Sequence, residues 1–130
     1  IQSALQACGS YGYRNVIVAC MPGKLAKYAR GIAYTHAHKA AQSMPAFVSF
    51  LKEEMRPEML AVEPKDVRSV RELLAVVPPE QRKRILDLVT SRAFEALSAM
   101  VDQPFALRVI VYGYNGEKLA GVEDERFRAG

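Results

Sequence analysis

Three features of this 130-residue sequence predict an α+β fold, with a small antiparallel or mixed sheet packed against about four helices. The run Asn15 to Cys20 (NVIVAC) is short, apolar and β-branched. A second such run, Phe105 to Tyr114, meets Asn115-Gly116 and returns through Val122. The stretches before and between these runs carry apolar residues at three- and four-residue steps, the period of a helix with one buried face.

In chain order, residues 1–13 are ambiguous. Ile1, Ala4 and Leu5 suit a short helix, and Gly9-Ser10-Tyr11-Gly12 reads as a loop. The strand 15–20 has no polar alternation, which suits a strand covered on both faces. Pro22-Gly23 stops it. Lys24 then opens a helix with Leu25, Ala29, Ile32, Ala33, His36 and Ala40 inward, ending near Gln42. Pro45 begins or kinks the next segment, whose stripe is Phe47, Val48, Leu51 and Met55. Pro57 closes it, because the residue before a proline avoids the α region. The apolar connector 57–63 packs rather than floats. Pro64 starts a third helix, with Val67, Val70, Leu74 and Val77 inward.

Pro78 to Asp102 is the longest helical signal. Ile85, Val89, Ala93, Ala96, Leu97 and Met100 form its stripe, and Asp87, Ser91, Glu95 and Ser98 face outward. The following hairpin, 105–122, carries Asn115-Gly116, whose residues accept positive φ. A two-residue turn there pairs Tyr112 with Leu119, Ile110 with Gly121, Val111 with Ala120 and Val109 with Val122. Both hairpin faces are apolar, so both are expected to be packed. Residues 123–130 read as a charged tail.

The length suits a single domain over 1–130, with a helical and hairpin core at 64–122. Because it begins with Ile, the chain is expected to be processed or cut from something longer. Half the residues are apolar, which excludes a disordered chain. No apolar stretch approaches the roughly 20 residues of a membrane span. Cys8 and Cys20 are too few for a disulfide framework and are expected to be reduced, in a cytoplasmic setting.

Charge is unevenly placed. Residues 1–52 hold Arg14, Lys24, Lys27, Arg30, Lys39 and Lys52 and no acid, whereas residues 53–130 hold twelve basic and fourteen acidic residues. Lys24, Lys27, Arg30, Tyr34, His38 and Lys39 fall along or beside one helix face. Arg82, Lys83 and Arg84 crowd the first turns of the long helix, where cations oppose the helix dipole. Cations in a row neutralise phosphates and an exposed ring stacks on a base. The leading expectation is therefore a DNA- or RNA-binding domain acting through phosphate contacts from these nine residues. The rival is a self-associating or protein-docking module, a homodimer or assembly unit, with Ile110, Tyr112 and Leu119 of the hairpin as its interface.

Other chemistries find little support. Gly23-Lys24 follows a strand, but Val18 stands where a phosphate loop needs Gly, and Leu25 where it needs Ser or Thr. His36 and His38 are two residues apart, so a helix turns their rings away from each other and no metal pair forms. Glu53-Glu54 and Glu123-Asp124-Glu125 read as surface charge. No nucleophile elbow or zinc-protease motif is present, and neither cofactor nor metal is expected.

Overall fold

The computed structural model describes residues 1–30, 44–55, 67–100 and 105–127. Five helices and a three-stranded mixed sheet appear in the order α1 (Gln2–Ser10), β1 (Asn15–Cys20), α2 (Pro22–Ala29), α3 (Met44–Glu54), α4 (Val70–Val76), α5 (Pro79–Met100), β2 (Ala106–Tyr112) and β3 (Lys118–Glu123). The α+β expectation holds. Strand β2 is central, parallel to β1 and antiparallel to β3. The parallel pair is closed by a long crossover that carries α2 to α5.

Helix α1 settles the ambiguous start. Gly12, at φ +78°, turns the chain out of the helix, and the Tyr13 amide donates back to the Cys8 carbonyl at 3.2 Å. A residue without Cβ is what such a left-handed exit favours. Gln2 Nε2 donates to the Met100 carbonyl at 2.9 Å, tying α1 to the far end of α5.

Helix α2 begins two residues earlier than its lysine suggests, because Pro22 occupies the helix's first turn. Proline's fixed φ and missing donor suit that position. The stretch 31–43, with most of the expected continuation, lies outside the described residues. Helix α4 begins at Val70 rather than Pro64. Its N-cap is Ser69, whose hydroxyl accepts from the Glu72 amide at 3.0 Å. The Glu72 carboxylate in turn accepts from the Arg68 amide at 3.4 Å. This Ser-x-x-Glu arrangement satisfies orphan donors at the helix start.

The core lies between the helices and one sheet face. Val18 of β1, Leu107, Val109 and Val111 of β2 and Ala120 of β3 meet Leu25, Ala29, Leu73, Ile85, Val89, Ala93 and Leu97. Helix α5 crosses β2 and β3 and packs on α2. Its stripe is as expected, with one polar addition. Thr90 is fully buried and its hydroxyl donates to the Leu86 carbonyl at 2.5 Å.

Two packing expectations fail. Strand β1 is an edge strand, and Ile17, on the face turned from the core, is 52% exposed. A continuous apolar run therefore did not mean two covered faces. The hairpin is packed on both sides only in β2, and β3 leaves Lys118, Gly121 and Glu123 exposed. The register holds at Ile110–Gly121, Val111–Ala120 and Val109–Val122 but slips at the turn, where Tyr112 pairs with Lys118 rather than Leu119. The cause is a three-residue loop, Tyr114 to Gly116. The Gly116 amide donates to the Gly113 carbonyl at 3.0 Å, and the Gly113 amide donates to the Glu117 carbonyl at 2.9 Å. Only Gly116, at φ +81°, supplies a left-handed glycine in that loop.

Candidate functional site

Because β1 and β2 run parallel, their carboxyl ends lie at one end of the sheet. Crevices at that end are where open α/β sheets bind ligands. Here β1 passes through Met21 into α2, and β2 passes into the 113–117 turn. Between them lies a cleft of about 470 Å³. Pro22 comes from the start of α2, and Arg71, Leu74 and Ala75 from α4. Arg82 and Leu86 come from α5, while Gly113, Tyr114, Asn115, Glu117 and Leu119 come from the hairpin.

Arginine shapes this cleft. The Arg71 guanidinium lies 4.2 Å from the centroid of the Tyr114 ring, a cation–π contact that orients both groups. Arg82 Nε donates to the Leu74 carbonyl at 2.7 Å. That bond caps the last turn of α4 and holds the rest of the guanidinium fork toward the cleft. Leu74, Leu86 and Leu119 supply apolar wall, and Glu117 is the one carboxylate in the described lining. The arrangement can grip a flat, partly apolar molecule carrying carboxylates, since a guanidinium binds carboxylate through two parallel donors.

A second cleft is smaller, at about 210 Å³. Gly23, Ala26, Lys27 and Arg30 of α2 and its C-cap, Met44 and Phe47 of α3, and Arg68 and Val70 at the start of α4 line it. Burial pushes the Arg30 pKa down. Cys20, at the end of β1, is also shaped by burial, which raises its thiol to about 11. Burial likewise raises Tyr28, helped by the neighbouring Cys20. A thiol held that high stays protonated at neutral pH and is a core side chain rather than a nucleophile.

Among the described residues, those of the expected cationic face are not equally open. Lys24 is exposed, but Lys27 and Arg30 are half-buried and turn into the smaller cleft. Tyr34, His38 and Lys39 lie outside the described residues. Of the second cationic group, Arg82 is half-buried in the larger cleft, whereas Lys83 and Arg84 are exposed. Lys83 stands 3.9 Å from Asp87, one turn along. The expected interface patch is also corrected. Ile110 is only 6% exposed. Tyr112 and Leu119 are half-buried, and Leu119 packs on the core. Sequence reading missed Arg68, Arg71 and Tyr114. The Ser69-x-x-Glu72 capping box would have placed both arginines at a helix start, but nothing local brings that start beside the turn after β2. Among the described residues no group of histidine, cysteine and acidic side chains could hold a metal ion, and no helix is long and apolar enough to cross a membrane.

Comparison with known proteins points to enzymes of one class, methyltransferases that act on a small molecule. Each of five curated relatives is a cobalt-precorrin-5B C(1)-methyltransferase. The protein of Photorhabdus laumondii is 26% identical over 97 residues, covering 75% of this chain and 26% of the relative. That of Geobacter sp. strain M21 is 29% identical over 116 residues, covering 89% and 32%. That of Sulfolobus acidocaldarius is 27% identical over 128 residues, covering 92% and 33%. The chain thus spans a third or less of the length of these relatives. No family model matches it, and no solved structure matches it significantly. These similarities overturn the expectation of a DNA- or RNA-binding domain, and with it the rival expectation of a self-associating module. Uneven charge does not by itself point to nucleic acid, since cations that neutralise phosphates also bind small-molecule carboxylates.

Proposed function

We propose that this chain is part of a C-methyltransferase whose substrate is a cobalt-precorrin, and that the larger cleft grips the edge of the macrocycle. One observation carries the reading: five proteins sharing that activity resemble three quarters or more of the chain, at 26–29% identity. The cleft chemistry supports it. A precorrin is a broad conjugated ring with acidic side chains at its rim. Arg71 and Arg82 suit the rim carboxylates, and Tyr114, Leu74, Leu86 and Leu119 suit the ring edge.

In C-methylation a ring carbon donates its electron pair to the methyl carbon, and the bond from methyl to its carrier breaks with its pair going to the carrier. The contribution of these side chains is orientation. Two fixed guanidinium groups hold the ring so that one carbon faces the donor, and such positioning replaces much of the entropy cost of the encounter. A cytoplasmic setting is in keeping with the unpaired thiols Cys8 and Cys20.

An absorbance titration of the purified protein with cobalt-precorrin-5B tests the reading. Saturable binding is expected, and R71Q and R82Q each weaken it about tenfold, the scale of one lost charge-assisted contact. Absence of a saturable spectral change in the wild-type protein would refute it.

A further inference from the structure

The smaller cleft holds three cations that the methyl-transfer reading does not use. Lys27 and Arg30 reach it from α2 and its C-cap, and Arg68 reaches it from the residue before the N-cap of α4. Among the described residues the lining includes no carboxylate, and no ion pair joins any of the three to an acid. The rest of the wall is apolar: Ala26, Met44, Phe47 and Val70. Three cations lining one cleft beside apolar surface offer an anion several charge-assisted donors, and burial costs Arg30 hydration that a bound anion offsets. Two other arginines are paired. Arg92 meets Glu54 at 2.8 Å and Glu95 at 3.1 Å, and Arg126 meets Asp124 at 2.8 Å.

We infer that this cleft is a separate binding site for a small organic anion, a carboxylate or phosphate head held by Lys27, Arg30 and Arg68 with a short apolar stem lying against Phe47 and Met44. The volume of about 210 Å³ suits a head and a few methylene groups rather than a macrocycle. Arg30 is the central holder. Its side chain is half-buried, and burial pushes its guanidinium pKa down. Arg68 is exposed and closes the head from the α4 side. The inference does not depend on the substrate of the larger cleft.

Nuclear magnetic resonance titration of the whole chain, following the arginine Nε–H signals, tests it with three probes: hexanoate, hexyl phosphate and inorganic phosphate. Saturable shifts at Arg30 and Arg68 are expected with at least one stem-bearing probe, and weaker shifts with inorganic phosphate. The stronger of hexanoate and hexyl phosphate identifies the head. R68Q, at an exposed position that leaves the fold intact, is expected to weaken that binding about tenfold, and K27Q to weaken it as well. F47L is expected to reduce the advantage of the stem-bearing probe over inorganic phosphate. Linear shifts spread equally over Arg84 and Arg108 would overturn the site, and so would an affinity unchanged in both R68Q and K27Q.

Discussion

At the scale of residues, environment rather than residue type decides what each group does. Asp124 is half-buried, and its carboxyl is held down at about 2, first by the Arg126 side-chain hydrogen bond and then by the Arg126 backbone amide. The same arginine reaches the Phe105 carbonyl at 3.3 Å, so the pair clips the end of β3 to the start of β2. A depressed carboxylate contributes stability above its ordinary pKa and loses that contribution as pH falls through the folded value. The Asp124 carboxyl should therefore titrate in the folded protein with a midpoint near 2, and a carbon-13 shift titration showing an ordinary carboxylate midpoint would remove the clip. The sign is opposite for Cys20. Burial raises its thiol to about 11, so alkylation at neutral pH should be much slower for the folded protein than after denaturation, as peptide mapping would show. Sequence reading singled out Lys27, Arg30 and Arg82 but assigned them to an open cationic surface. Their half-burial is a tertiary property, set by α3, α4 and the 113–117 turn.

At the scale of elements, the signals that could be read were the ones with a period. The long helix, strand β1 and the 105–122 hairpin all follow from apolar spacing and turn residues. What escaped was fixed by polar detail or by neighbours. Helix α4 was assigned a start at Pro64, whereas its N-cap is Ser69. Ser69→Ala should cost about 1 kcal/mol in urea denaturation, and an unchanged midpoint would mean that the cap contributes nothing. The hairpin signal Asn115-Gly116 was right in place and wrong in type, since a three-residue loop needs positive φ at Gly116 alone. Gly116→Ala should destabilise by about 1 kcal/mol, the scale of placing an L side chain in the left-handed region, whereas Asn115→Ala should cost less. Equal losses would favour a two-residue turn. The face of β1 could not be read either, because an apolar run is the same whether a strand is central or at an edge.

At the scale of the whole molecule, the core is continuous from α1 to β3, and α5 is its axis. Leu97 is fully buried, and Leu97→Ala should cost 2–5 kcal/mol, roughly the range for a large buried aliphatic side chain that leaves a cavity. Calorimetry or denaturant titration would check it. The fold class was legible because burial patterns are local. The larger cleft was not, because it draws on residues from Pro22 to Leu119 and exists only once a parallel crossover brings the carboxyl ends of β1 and β2 together. No short motif marks it, so charge asymmetry was the remaining clue, and it does not distinguish phosphates from carboxylates. The direct measurement is transfer of an isotopically labelled methyl group from a sulfonium donor to cobalt-precorrin-5B, followed by mass spectrometry with wild-type protein, R71Q, R82Q and the exposed control K83Q. The expected result is one labelled methyl on the macrocycle, with KM raised about tenfold in R71Q and R82Q and unchanged in K83Q. No label on the macrocycle with wild-type protein, or KM values equally affected in all three variants, would contradict the account.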